Sequence, residues 1–113
     1  MDIEEIRQYA LLKENVTESF PFGEETLVFK TGNKIFLLMG LDQSPLSFNV
    51  KCDPETAIVS REEYPLNVLP GYHMNKKHWN TIVVSGLKNN FIKHAIDESY
   101  RLVAKKKSNI PDL

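Results

Sequence analysis

Leu46, Phe48 and Val50 alternate with Ser47, Asn49 and Lys51. Successive strand side chains point to opposite faces, so this stretch calls for a sheet with one face buried and the other wet. Such a sheet needs a second layer over its apolar face, and the flanking sequence offers helices to supply it. Asp53-Pro54-Glu55 follows at once, with an N-cap acceptor, a proline for the first helical position and an early carboxylate. It predicts a helix from Pro54 to about Tyr64, ended by Pro65.

The rest of the chain falls into place around this pair. Asp2 and Glu5 have the spacing of a capping pair, and Ile3, Ile6 and Ala10 follow at helical spacing, predicting a helix over residues 2–14. Ser19-Phe20-Pro21-Phe22-Gly23 breaks it. Thr26 to Thr31 reads as a strand, Gly32-Asn33 as a two-residue turn, and the apolar Lys34 to Leu41 as a central strand. Asp42-Gln43-Ser44-Pro45 turns the chain again. The Pro70 to Asn80 segment and Thr81-Ile82-Val83-Val84 suggest two further strands. Phe91, Ile92, Ala95, Ile96, Ser99, Leu102 and Val103 mark one face of a helix from about Leu87 to Lys106. The expected fold is α+β in two layers, a five-stranded antiparallel sheet with helices against one face, in the order α-β-β-β-α-β-β-α. At 113 residues, with 42% hydrophobic side chains, the chain suits a single domain over 1–113.

Charge narrows the function classes. The formal net charge is -1, distributed as -5 over residues 1–25, +1 over 26–86 and +3 over 87–113. A dedicated polyanion binder carries an excess of Lys and Arg, because phosphate neutralisation and counterion release drive its affinity. A nucleic-acid role here would rest on a local basic patch and be weak and salt-sensitive. One cysteine, Cys52, excludes an internal disulfide framework and fits a reducing compartment, so a cytoplasmic monomer is expected. The longest apolar run, Ile35 to Met39, is too short to span a bilayer, and the expectation is no membrane association.

The most distinctive stretch is Pro70-Gly71-Tyr72-His73-Met74-Asn75-Lys76-Lys77-His78-Trp79-Asn80. With Pro21-Phe22-Gly23-Glu24 and Leu46-Ser47-Phe48-Asn49-Val50-Lys51-Cys52-Asp53-Pro54, in that order along the chain, it resembles the MmcQ/YjbR family of small bacterial proteins. The resemblance covers nearly the whole chain. It implies an antiparallel sheet with flanking helices, similar to the fold of secretion chaperones, and DNA binding through a double-wing surface. It implies no catalytic residue set and no cofactor.

Each motif residue has two readings. In the functional one, Lys76 and Lys77 contact phosphates, Asn75 and Asn80 donate hydrogen bonds, Trp79 or Tyr72 offers a stacking plane, and His73, His78 and Lys51 extend the patch. In the structural one, Trp79 and Tyr72 pack into the core, Gly71 serves a turn and the lysines are solvated. For Trp79 the structural reading has precedence, since large aromatics are mostly buried. His73 and His78, five residues apart in an extended segment, fall on opposite faces, so no metal is expected. Cys52 has no apparent histidine partner and reads as a small hydrophobe. Glu24-Glu25 and Glu62-Glu63 are solvated pairs without the convergent geometry of acid/base chemistry. Two functions compete: a weak, non-catalytic DNA-binding module, and a protein-interaction or chaperone-like module with a protein partner and no nucleic-acid role; a third, small-molecule binding or an unrecognised enzyme, needs a concave site with convergent polar groups.

Overall fold

A computed structural model describes residues 1–71 and 74–108, with side chains as far as Ala104. The chain begins with helix α1 (Ile3–Leu11), and its start is fixed by a reciprocal capping box. The Glu5 N–H donates to the Asp2 carboxylate at 2.8 Å and the Asp2 N–H to the Glu5 carboxylate at 2.9 Å. Strands β1 (Val16–Ser19), β2 (Thr26–Thr31), β3 (Lys34–Gly40) and β4 (Ser47–Lys51) follow. After them come helix α2 (Pro54–Glu63), strands β5 (Val68–Pro70) and β6 (Trp79–Val83), and helix α3 (Asn89–Ser108). Asp53 caps α2 by accepting from the N–H groups of Glu55 and Thr56, with Pro54 in the first turn.

The strands form one antiparallel sheet in the order β1-β2-β3-β4-β6-β5. Among the described residues it has six strands, one more than expected. The extra one, β1, begins just past Asn15, whose φ of 60° turns the chain out of α1. Its residues are only half-buried or exposed: Val16 packs against the edge of the core, and the other inward-facing side chain is the carboxylate of Glu18, held by Arg7 of α1 at 2.6 and 2.7 Å. Hydrophobic alternation, the signal that reveals the other strands, is therefore missing from it.

Register sorts the side chains. Leu27 pairs with Met39, Phe29 with Leu37, Leu37 with Val50, Met39 with Phe48, and Phe48 with Ile82. These residues share the face covered by the helices, where Ile6 and Ala10 of α1 and Ile92, Ile96 and Val103 of α3 meet them in one core. Burying each large side chain contributes about 1.5–3 kcal/mol. A β-bulge inserts Phe36 opposite the Phe29-Lys30 step, so Phe36 and Leu37 both serve this core. Phe36 packs edge-on against Tyr100 of α3 at 5.3 Å. A polar clamp ties α1 to α3: the Lys13 ammonium and Tyr9 hydroxyl both donate to the Asp97 carboxylate, and Lys13 lies over the Tyr9 and Tyr100 rings. Burial and that carboxylate push the Tyr9 hydroxyl up to about 12. Among the described residues no helix is long and apolar enough to cross a membrane.

Candidate nucleic-acid interface

Among the described residues no helix packs on the opposite face of the sheet. Alternation places Lys51, Asn49 and Ser47 of β4 on it, beside their cross-strand partners Trp79, Thr81 and Val83 of β6. Lys30 and Val28 of β2 and Leu38 of β3 lie on the same face.

Strand direction gives this face two unlike ends. At one end stand the connections over residues 20–25 and 41–46, with Glu24, Glu25 and Asp42. A hydrogen bond to Asp42 holds the Glu25 carboxyl above its ordinary range. At the other end stand the tight turn of the β2–β3 hairpin, the C-terminal end of β4 and the connection between β5 and β6. Five lysines gather there: Lys30 and Lys34 beside the Gly32-Asn33 turn, Lys51, and Lys76 with Lys77. α3 also runs toward this end, where Ser99 bonds β3 and β4, and its final residues are Lys105-Lys106-Lys107-Ser108. Carboxylates are fewer. Of Glu14, Asp53, Glu55 and Glu98, Asp53 is occupied as the cap of α2 and Glu98 is paired with Arg101.

The lysine-bearing turn is built from backbone bonds. Asn75 accepts from the N–H groups of Lys77 at its side chain (3.0 Å) and of His78 and Trp79 at its carbonyl (3.1 and 3.0 Å). Arg61 of α2 donates to the Lys76 carbonyl at 3.1 Å, and the Cys52 N–H donates to the His78 carbonyl at 2.8 Å. Gly71 N–H donates to the Trp79 carbonyl at 2.9 Å. A side chain at Gly71 would come within 2.8 Å of Trp79 Cβ, so only glycine allows this approach.

Of the residues singled out in the sequence, the structure brings six to this end of the molecule. Lys51 and Trp79 are cross-strand partners, while Asn75, Lys76, Lys77 and His78 form the turn beyond them. Asn75, Lys76 and Lys77 are exposed and Trp79 is half-buried; the Lys76 ammonium reaches back to the Gly71 carbonyl at 3.3 Å. Asn80 does not belong with them. It points to the helix side, is 3% exposed, and its amide nitrogen donates to the Ala57 carbonyl of α2. His73 and Tyr72 lie outside the described residues. Lys30 and Lys34 were not singled out; the Gly32-Asn33 turn between them was the available signal. Cys52, on the helix side, has its thiol pushed up to about 11 by burial, with Arg61 opposing and Asp53 adding, so it stays protonated at neutral pH.

Fold and face together define a small α+β domain that presents one open antiparallel sheet face with a lysine-bearing end. A family model described as YjbR matches residues 11–102, and the chain belongs to the YjbR family. YbdF of Escherichia coli O157:H7 is 38% identical over 85 residues, covering 74% of this chain and 69% of that protein. YjbR of Escherichia coli K12 is 28% identical over 102 residues, covering 89% and 86%. Among solved structures, that of Deinococcus radiodurans protein DR2400 superposes with a TM-score of 0.87 at 32% identity, covering 97% of this chain and 89% of that one. A Pseudomonas syringae protein shares the fold with a TM-score of 0.74 at 23% identity, covering 91% and 99%.

Proposed function

We propose that this chain acts by binding rather than by catalysis, and that it holds DNA weakly through the lysine-bearing end of the sheet. The observation that carries the reading is the pairing of two hairpin tips at one end, one with Lys30 and Lys34 and the other with Lys76 and Lys77, with Lys51 between them. In the strand order the tips stand three strand spacings apart, about 14 Å at ~4.8 Å per strand. That matches the ~12 Å width of a major groove and lets both tips meet phosphates flanking it. Trp79, beside Lys51, adds an aromatic surface next to the cations.

Titration of labelled duplex DNA tests this. Four phosphate contacts give a log-log salt slope of about -4, a loss of about 100-fold between roughly 50 and 200 mM salt. Replacing Lys76 and Lys77 by alanine should lower the slope by about two. Absence of salt-dependent binding, or an unchanged slope in the double variant, refutes the reading.

A second reading, a protein-interaction module, is favoured by apolar side chains on and just after α2. Ile58, Val59 and Leu66 are exposed there, Leu66 at 86%. A stoichiometric protein partner recovered from nuclease-treated extract, and lost on Ile58→Asp, supports this alternative; recovery unaffected by that change refutes it.

A further inference from the structure

The helix-free face is not flat over its middle and the end away from the lysines, a hollow that Pro70, at the end of β5, and Met74, in the β5–β6 connection, also border. It is a cavity of about 830 Å³, inside the range of roughly 300–1,000 Å³ typical of small-molecule sites. Leu38, 9% exposed, lies at its floor; Phe22, Pro45 and Leu69 line it from three separate segments. Near the centre the Thr81 hydroxyl donates to the Asn49 side-chain oxygen.

Although 26% of the chain is charged, none of the described residues lining this cavity is. Among them, nucleic acid would find no cation. Two large apolar side chains are nevertheless left in solvent at its wall, Phe22 at 66% and Leu69 at 40% exposure. The walls are fixed in advance. The Leu41 N–H donates to the Glu25 carbonyl at 2.7 Å, joining the two connections. Gly23 bonds back to Phe20, and Thr26 to Gly23, closing the turn that carries Phe22. Gln43 folds over Gly40 so closely that a Cβ there would lie 2.7 Å from its side chain. Preorganised walls spare a ligand the ordering cost of binding. A stable protein interface needs about 800 Å² of complementary surface from each partner, whereas this recess has the volume of a small-molecule site and is lined from strands and connections of one chain.

We infer that this cavity is a binding site for an uncharged, largely apolar small molecule with a hydrogen-bonding group near its middle. Apolar area meets Phe22, Leu38, Leu69 and Pro45, and the polar group meets Asn49 and Thr81.

The test titrates the intact chain with the neutral fluorophore N-phenyl-1-naphthylamine, and in parallel with the anionic 1-anilinonaphthalene-8-sulfonate. Saturable one-to-one binding of the neutral probe is expected, about tenfold tighter than that of the anion, which must desolvate its charge. Ser47→Phe, which fills the recess, and Leu69→Asp, at an exposed wall position, should each weaken it about tenfold or more at an unchanged thermal midpoint. Lys76→Ala with Lys77→Ala should leave it intact, which separates this site from the DNA reading. Three results overturn the inference: no saturable binding, equal binding by a folded Leu69→Asp variant, or a dimer in sedimentation that Leu69→Asp dissociates. The last would make the recess an interface between copies.

Discussion

Replacing Ser99 by alanine removes one oxygen from the centre of the molecule. Ser99 is 0% exposed on the inner face of α3, where its hydroxyl donates to the carbonyl of Phe36 and accepts from the N–H of Lys51 at 2.9 Å. One side chain thus clamps the bulge of β3 and the last residue of β4 to the same helix. Alanine adds almost no cavity, so the cost lies in the two hydrogen bonds. Each net bond contributes about 1 kcal/mol, and each buried backbone group deprived of a partner costs about 1–3 kcal/mol. The expected loss is about 2–4 kcal/mol, a large part of the ~5–15 kcal/mol by which such domains are stable. Each kcal/mol lowers the melting midpoint of a domain this size by about 4–8 °C, so the midpoint should fall by at least about 8 °C. Urea unfolding followed by far-UV circular dichroism and by the fluorescence of Trp79, the single tryptophan, should show a lower midpoint at an unchanged slope. A loss below about 1 kcal/mol would refute the assignment of this hydroxyl as a buried bridge.

Gly71→Ala should destabilise by about 1–3 kcal/mol, since the new methyl meets Trp79 Cβ and the backbone beside it; a shift in Trp79 emission reports the displacement. The hydrogen bond from Arg7 holds Glu18 below its ordinary value of 4.5. Its contribution to stability is therefore present above about pH 4.5 and lost as pH falls through the folded-state value. Asp97 behaves alike: burial alone would raise its pKa, but hydrogen bonds from Lys13 and Tyr9 outweigh that and lower it. Glu18→Gln and Asp97→Asn should each lower stability at pH 7 and flatten its decline toward pH 3, as measured by urea midpoints across that range. The Cys52 thiol, raised to about 11, should react with iodoacetamide at pH 8 at least about tenfold more slowly than free cysteine, and faster as pH rises. A rate equal to that of free cysteine would contradict the burial assigned to it.

Elements with a local cause were legible in the sequence. The Asp2–Glu5 and Asp53–Pro54 starts, the Gly32-Asn33 turn and the alternation of residues 46–51 each rest on near neighbours, and each lies where the pattern predicts. Two features were not legible because their causes are distant. β1 is held by pairing with β2 and by the Arg7–Glu18 pair, neither of which leaves an apolar pattern in Val16-Thr17-Glu18-Ser19. The Pro70 to Asn80 segment reads as extended, yet among its described residues only Pro70, at the end of Val68–Pro70, and Trp79 and Asn80, at the start of Trp79–Val83, are strand. Between them Asn75 takes up three consecutive N–H groups and turns the chain.

Contiguity in sequence gathered the candidate site residues, whereas pairing parity decides which of them share a surface. Trp79 and Asn80 are adjacent in the chain, yet one flanks Lys51 on the open face and the other is buried against Ala57. Alternation alone states that they part; only the register with Val50, a core residue, states which goes inward. The same logic recruits residues from elsewhere. Lys30 stands 21 residues before Lys51 in the chain, but β2, β3 and β4 lie side by side and bring both to one end of one face. A surface of this kind is assembled by strand order rather than by a motif. Lys30→Ala should therefore weaken any DNA binding comparably to Lys77→Ala, reducing the salt slope by about one, although nothing local to Lys30 marks it. An unchanged slope for Lys30→Ala beside a reduced one for Lys77→Ala would confine contact to the β5–β6 connection and refute a surface spanning both hairpins.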